Sequence, residues 1–478
     1  MNTIQRIVKN IGFTGLSQVI ITFLGFILII YLARYLGEAD FGVYNFALYF
    51  TYLFIPLADL GISQFMIREL ARDKSIFDKF IVNALLIKIP LSIITLLLIG
   101  LIINVMGYPQ NVINLVYLFG VYTIFSSFVL TFRSIFQAYE KLEYTSFLII
   151  IEKLFLIPLV LIFILIGLTL TNIAYGYIIS IIITFIVGLY LLIKKIKRPE
   201  IKVDFKVWRI FINNALPFGL NSLFTVSFFK FDTVLLSYLK NDVAVGIYNA
   251  AYAPLLALTS AFGTMIVYSV YPVMSKYFIS SKDSLKTSTV LTCKYMAILS
   301  LPIAVGCFVI PEKFISLFYG NQYQGAIIAF QILALFIPLR LISSITGTFL
   351  TSSNKQGLRS FTYLVGLLSN IILNILIIPP LSYVGASIST VFSEIVVYAL
   401  FIFFINRYYP MKLHRHFVKP LIASLIMGIF LLYFNQLNLF LLIICATVIY
   451  FISLILLKTF SDTDKYIIKQ LLGRISND

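Results

Sequence analysis

The sequence predicts an all-α polytopic membrane protein. About fourteen transmembrane helices form two six-helix bundles related by a pseudo-twofold axis along the membrane normal, followed by two C-terminal helices. Three observations predict this. The 478 residues are 60% hydrophobic and 12% charged, with mean hydropathy +1.01, where soluble domains carry about 25% charged residues. The positive charge is confined to alternate loops. And the two halves carry matching segments in the same order.

Apolar runs long enough to span fall at 11–33, 41–66, 80–105, 112–132, 146–168, 171–193, 211–238, 243–273, 288–310, 322–351, 360–379, 383–406, 418–434 and 438–457. The first run has no small-residue cleavage site, which predicts an anchor and not a cleaved signal. With the N-terminus inside, the inner segments carry 28 of the 36 Lys and Arg, counting Lys419 at the inner edge of the 418–434 run, and the outer loops carry only Arg34, Lys240 and Lys313. That bias is the positive-inside rule. It puts both termini in the cytoplasm of a multi-pass protein of the cell membrane. It also accounts for the net charge of +17, so no nucleic-acid partner is required.

The expected domains are a first bundle at 1–193, a basic cytoplasmic linker at 194–209 with the only tryptophan, Trp208, a second bundle at 210–407, the two extra helices at 408–458, and a tail at 459–478. The linker suits orientation and tethering; contact with anionic lipid is the alternative. Three pairs support the repeat. GVYNFA at Gly42 matches GIYNAA at Gly246, Lys88 matches Lys294, and FQAYEK…TSF from Phe136 matches LTSSNK…RSF from Leu350. Six helices per half give both halves one orientation, and parallel repeats of this kind occur in secondary transporters. In the tail, Ile467, Ile468, Leu471, Leu472 and Ile475 recur at helical spacing, predicting an amphipathic surface helix; Ile4, Ile7 and Ile11 do the same near the start.

No phosphate loop, HExxH or GxSxG pattern occurs. The chain reads as a transporter with no cofactor, not as an enzyme. Cys293, Cys307 and Cys445 lie in apolar runs without metal-ligand spacing, and His414 and His416 sit in a basic loop. Chemistry therefore rests on charges at membrane depth. Arg340 lies twelve residues before Ser352, about 18 Å along a helix. That is close to mid-membrane, where a lipid-facing charge costs roughly 2.5–3.5 kcal/mol. A guanidinium held in a hydrated interior suits a phosphate. Lys88 and Lys294 either snorkel to the inner interface or, as their symmetry favours, line opposite walls of one cavity. Lys153 follows Glu152, and Lys230 precedes Asp232 by two; neither spacing makes a self-contained helical ion pair. Asp59, Glu152, Asp232 and Glu394 each could bind a coupling ion or neutralise a buried cation.

Three stretches, YLARYLGEADFGVYNFALYF, VIPEKFISLFYGNQYQGAIIAFQILAL and SNIILNILIIPPLSYVGASISTVFSEI, resemble the Wzx-type polysaccharide-export flippases of the multidrug/oligosaccharidyl-lipid/polysaccharide superfamily. The resemblance implies two bundles around a cationic cavity. It implies alternating access, carrying a polyprenyl-pyrophosphate-linked oligosaccharide to the outer leaflet for cell-surface polysaccharide biosynthesis. On that reading Lys88, Lys294 and Arg340 meet the pyrophosphate, and the partners are the lipid-linked glycan, membrane lipids, a polysaccharide polymerase and other export-pathway proteins. A cation-coupled multidrug exporter of the same superfamily is the alternative. Its usual twelve helices and acidic drug site fit less well than the deep cations and helices 13 and 14 found here. A flippase for another lipid-linked precursor, or a non-transporting scaffold, remain further classes.

The charge bias yields a direct test. A cysteine placed at Lys202 should resist a membrane-impermeant thiol reagent in intact cells and react after permeabilisation. Labelling in intact cells would invert the topology.

Overall fold

The computed structural model describes residues 3–200, 202–411, 413–461 and 464, with side chains from residue 22 onward except Tyr268. Residues 4, 7 and 11 fall in a described helix, but their side chains, like the tail's predicted amphipathic helix, lie outside what is described. All regular structure in the described residues is helical. Among the described residues, twelve helices are long and apolar enough to cross a bilayer. Two of them are broken: α1 (Thr3–Tyr52) at Gly37, φ 73 and ψ 178, and α14 (Gln356–Tyr408) at Ser382, φ 52 and ψ −132, just after Pro379 and Pro380. Divided at those residues, they give the fourteen segments expected from hydropathy.

The elements start and stop where local chemistry dictates. The second predicted span, 41–66, is not one helix. Pro56 opens a short α2 (Ile55–Asp59), and left-handed Leu60 and Gly61 end it, so the chain restarts as α3 (Ile62–Arg72). α4 (Phe77–Val105), α5 (Gln110–Ala138), α6 (Leu142–Leu165) and α7 (Leu170–Lys195) complete the first half. Asp204 caps α8 (Phe205–Leu239) by accepting the Lys206 amide at 2.9 Å. α9 (Asp242–Ser280) follows, and Ser281 caps α10 (Lys282–Val309). α11 (Pro311–Tyr319) begins at a proline; α12 (Ala326–Ala334) and α13 (Phe336–Ser352) are parted by a turn at Leu335. α15 (Val418–Tyr433) and α16 (Leu439–Leu456) follow α14.

The chain forms two compact units. The first comprises Met1–Ser269 and Ser360–Ser393; the second comprises Val270–Arg359 and Glu394–Asp478. In the first, α5 and α6 pack along α7, and α8 lies against α1, α3 and α4. The basic linker is fastened within this unit by buried Asn83. Its amide donates to Lys202 O at 2.9 Å, while its oxygen accepts from the Asp204 amide at 2.9 Å and Trp208 Nε1 at 3.1 Å. Lys79 pairs with Asp204 at 2.9 Å, and Lys197 pairs with Asp78. The Asp78 carboxylate raises the exposed Lys197 ammonium above its ordinary range. In the second unit α10 packs on α13 and α15, and α15 on α16. The seam contains Ala423, Met427, Leu431, Leu442 and Ala446, and Tyr450 donates to Ile298 O at 2.7 Å.

The repeat detected in sequence becomes a contact in space. A Cβ on Gly42 would lie 1.8 Å from Asp242 O, and a Cβ on Gly246 would lie 1.9 Å from Glu38 O. Each glycine therefore meets the carbonyl four residues before the other, as a twofold between α1 and α9 requires. The flanking asparagines repeat the pattern: Asn45 donates to Phe41 O and Asn249 to Val245 O, at 2.7 and 2.9 Å. Gly42→Ala or Gly246→Ala must push the backbones apart, at about 1–3 kcal/mol. Each should lower the thermal midpoint of the purified protein. Gly306→Ala, whose Cβ would meet nothing within 4 Å, should be neutral or stabilising. Equal midpoints for all three would remove the close crossing.

Candidate functional site

The break between α2 and α3 delivers Asp59 to the interior. There its carboxylate accepts the Ser63 amide at 3.3 Å, in the first turn of α3, where an anion is favoured. Lys88 of α4 meets it from the other side. Its ammonium lies 2.6 Å from Asp59 Oδ1, 2.6 Å from Ser127 O and 2.6 Å from Thr131 Oγ1. Those three acceptors use all three ammonium protons. Lys88 is 0% exposed. The sequence reading placed Lys88 on a hydrated wall; here it is closed off by its own bundle, and Asp59 is its counter-ion.

The Glu152 carboxylate on α6 takes a bond from Arg133 Nη2 at 2.7 Å and from Tyr122 OH at 3.0 Å. Lys153 also reaches it, 3.7 Å away. The i,i+1 spacing was expected to keep these two apart, but the long lysine stem curls back. Arg133 nevertheless makes the shorter contact. Arg133, one residue past the expected span 112–132, belongs to α5 and is largely buried.

Lys230 and Asp232 part, as their i,i+2 spacing suggests. Lys230 Nζ sits 3.6 Å from the Tyr49 ring centroid, a close cation–π contact. Asp232 is fully buried and accepts from Asn374 Nδ2 at 2.5 Å, Thr390 Oγ1 at 2.9 Å and Tyr248 OH at 3.1 Å. Asn374 in turn bonds Asn370 Oδ1 at 2.9 Å. This shell was legible only as two asparagines, i and i+4, inside the apolar run SNIILNIL.

In the second unit, Lys294 Nζ meets Asp464 Oδ2 at 2.5 Å, and Tyr295 OH donates to Asp464 Oδ1 at 2.6 Å. Lys294 is buried, so it too has a carboxylate and no open water. Burial would raise the Asp464 carboxyl, but the bonds from Lys294, Ser461 and Tyr295 outweigh it and hold it well below the usual carboxylate range. Arg340, partly exposed on α13, is the charge acting on the Glu394 carboxylate of α14. Glu394 is fully buried and makes no hydrogen bond of normal geometry among the described residues, with Ser343 beside it. Three of the predicted cations thus keep some exposure, Lys153, Lys230 and Arg340.

A fold of stacked apolar helices with internal charges suits solute movement. A model of the family described as polysaccharide biosynthesis protein matches residues 7–278. The chain belongs to this family. A second model, MatE, matches residues 217–376. Among similar curated proteins is the uncharacterized membrane protein MJ1068 of Methanocaldococcus jannaschii, 22% identical over 457 residues, 89% of this chain and 88% of that one. Another is the probable low-salt glycan biosynthesis flippase Agl15 of Haloferax volcanii, 22% identical over 422 residues, 86% of this chain and 84% of that one. Among solved structures, the lipid II flippase MurJ in an inward closed conformation superposes with TM-score 0.76 at 17% identity, covering 92% of this chain and 97% of that one. The fold is shared throughout. This member of the polysaccharide biosynthesis family is a multi-pass membrane transporter, not an enzyme.

The buried pairs carry a stability prediction. Asp59→Asn strands the Lys88 ammonium in a dry interior, which typically costs about 3–5 kcal/mol. The purified variant should lose thermal midpoint and yield. Asp59→Leu with Lys88→Met removes both charges and should recover much of the loss. A double variant no better than Asp59→Asn alone would mean that the pairing is not what stabilises this point.

Proposed function

We propose that this protein is a flippase for a polyprenyl-pyrophosphate-linked oligosaccharide. It moves the head group from the cytoplasmic to the outer leaflet of the cell membrane by alternating access, with both termini cytoplasmic. The two halves, 1–193 and 210–407, are the moving bundles. The observation that carries this reading is Arg340. It is a guanidinium near the middle of a span running from Ala326 to Ser352, and it keeps partial exposure. A planar, permanently charged fork at that depth matches a diphosphate better than a neutral sugar or an organic cation. Family membership, the glycan-flippase name of a relative and the fold of a lipid II flippase support the substrate class. Lys153, Lys230 and Lys294 are the supporting cations. Asp232, in its shell of hydroxyl and amide groups, is the candidate for coupling to an ion. The MatE match over residues 217–376 favours a second reading, export of organic cations.

An Arg340 series tests the proposal in proteoliposomes, with membrane abundance measured beside flipping of a labelled lipid-linked oligosaccharide. A charge-assisted contact is worth about 1.5–3 kcal/mol, or roughly tenfold to a hundredfold in affinity. Arg340→Lys keeps the charge without the fork and should retain part of the activity. Arg340→Ala should insert normally and flip little, and Arg340→Glu should be worst. Native flipping by Arg340→Ala would dismiss the site. Organic-cation efflux without glycan flipping would select the second reading.

A further inference from the structure

The symmetric lysines obtain their counter-ions from different places. Lys88 is neutralised by Asp59, from the same half. Applied to Asp59, the offset of 204 that relates Gly42 to Gly246 leads to Gly263, and no acidic residue lies within two positions of it. The second half therefore has a deep lysine and no internal carboxylate where the first half keeps one. The carboxylate on Lys294 comes instead from Asp464, eight residues beyond the end of α16 and outside the repeat.

The manner of binding is that of a captured anion. Asp464 presents one oxygen to the Lys294 ammonium and the other to the Tyr295 hydroxyl, at 2.5 and 2.6 Å. Two neighbouring residues of α10 thus grip both oxygens of one carboxylate, as they would grip two oxygens of a phosphate. Asp464 is held in place by a local device. The Ser461 amide and hydroxyl both donate to Asp464 Oδ2, each at 2.6 Å, and the Asp464 amide points back at Ser461 Oγ, 3.4 Å away. This is the reciprocal pattern of a capping box, written in sequence as SDTD. The His416 imidazole lies close enough to feel both charges.

We propose that the segment after the last membrane helix is an internal competitor. Its Asp464 carboxylate occupies an anion site built by Lys294 and Tyr295, and it must leave before a phosphate can enter. The proposal rests on the reading of Lys294 as a phosphate-binding cation. It adds a self-ligand that keeps the site closed when no substrate is present. A site open only part of the time binds more weakly in proportion to that fraction. Releasing the tail should therefore tighten anion binding without any new contact.

The test uses the full-length protein in nanodiscs and inorganic pyrophosphate as the probe, with affinity measured by calorimetry. Asp464→Asn keeps the shape of the side chain and removes its charge. It should bind pyrophosphate about tenfold more tightly than the native chain, the size of one charge-assisted contact no longer contested. The gain should vanish in Asp464→Asn combined with Lys294→Gln. Unchanged affinity in Asp464→Asn would overturn the proposal, as would a gain that survives loss of Lys294. A second measurement leaves the ion pair intact. A nitroxide on Thr463→Cys should become more mobile when pyrophosphate is added, and an unresponsive spectrum would also overturn it. Neither readout depends on glycan flipping. If the native chain flips no lipid-linked oligosaccharide while Asp464→Asn gains affinity, the anion site stands and the oligosaccharide reading alone falls.

Discussion

A charge drawn into hydrocarbon must bring its partner with it, and this structure is organised around that constraint. Transferring an ammonium away from water costs several kcal/mol even after relaxation. Lys88 meets the cost with a carboxylate, a carbonyl and a hydroxyl supplied by α2 and α5. The unusual chain path at Pro56 to Gly61 follows from this. A straight helix through 41–66 would leave Asp59 on a regular helical face. The double break turns its carboxylate to Lys88 and lets the same group receive the first-turn amide of α3. One ion pair thereby ties four helices, and the local irregularity serves the long-range contact.

The architecture was legible because hydropathy and charge placement are strong, additive signals. Fourteen segments follow from apolar length, while the break from Pro56 to Gly61 inside the 41–66 run does not. The repeat was legible from six residues around Gly42 and Gly246, since only glycine permits a carbonyl to approach as Asp242 and Glu38 do. The partners of the deep charges were another matter. Periodicity tells which residues share a helix face, but an ion pair across helices joins positions tens to hundreds apart. Asp464 lies 170 residues from Lys294. Arg133 falls one residue beyond the expected span 112–132, although its side chain reaches Glu152. Only the i,i+4 pair Asn370 and Asn374 and the SDTD pattern carried local signals of the shells later found.

Comparing the halves position by position shows where they have diverged in chemistry. At the offset of 204, Leu28 stands where Asp232 stands, and Tyr44 where Tyr248 stands. In the first half, Tyr44 bonds the Tyr177 hydroxyl at 2.5 Å, a contact between neutral phenols. In the second, Tyr248 bonds a carboxylate that Asn374 and Thr390 also serve. The same exchange runs the other way at Asp59 and Gly263. The first half has fixed its lysine with an internal acid. The second has placed its acid elsewhere and left its lysine to a residue from beyond the repeat. A permanent pair rigidifies, since breaking it strands a charge. A carboxylate held by hydroxyls and amides, or a lysine held by a terminal segment, can exchange its partner for an ion or a phosphate without stranding anything. On the proposed reading, the groups able to change partners lie in the second half, while the Lys88–Asp59 pair of the first half stays together.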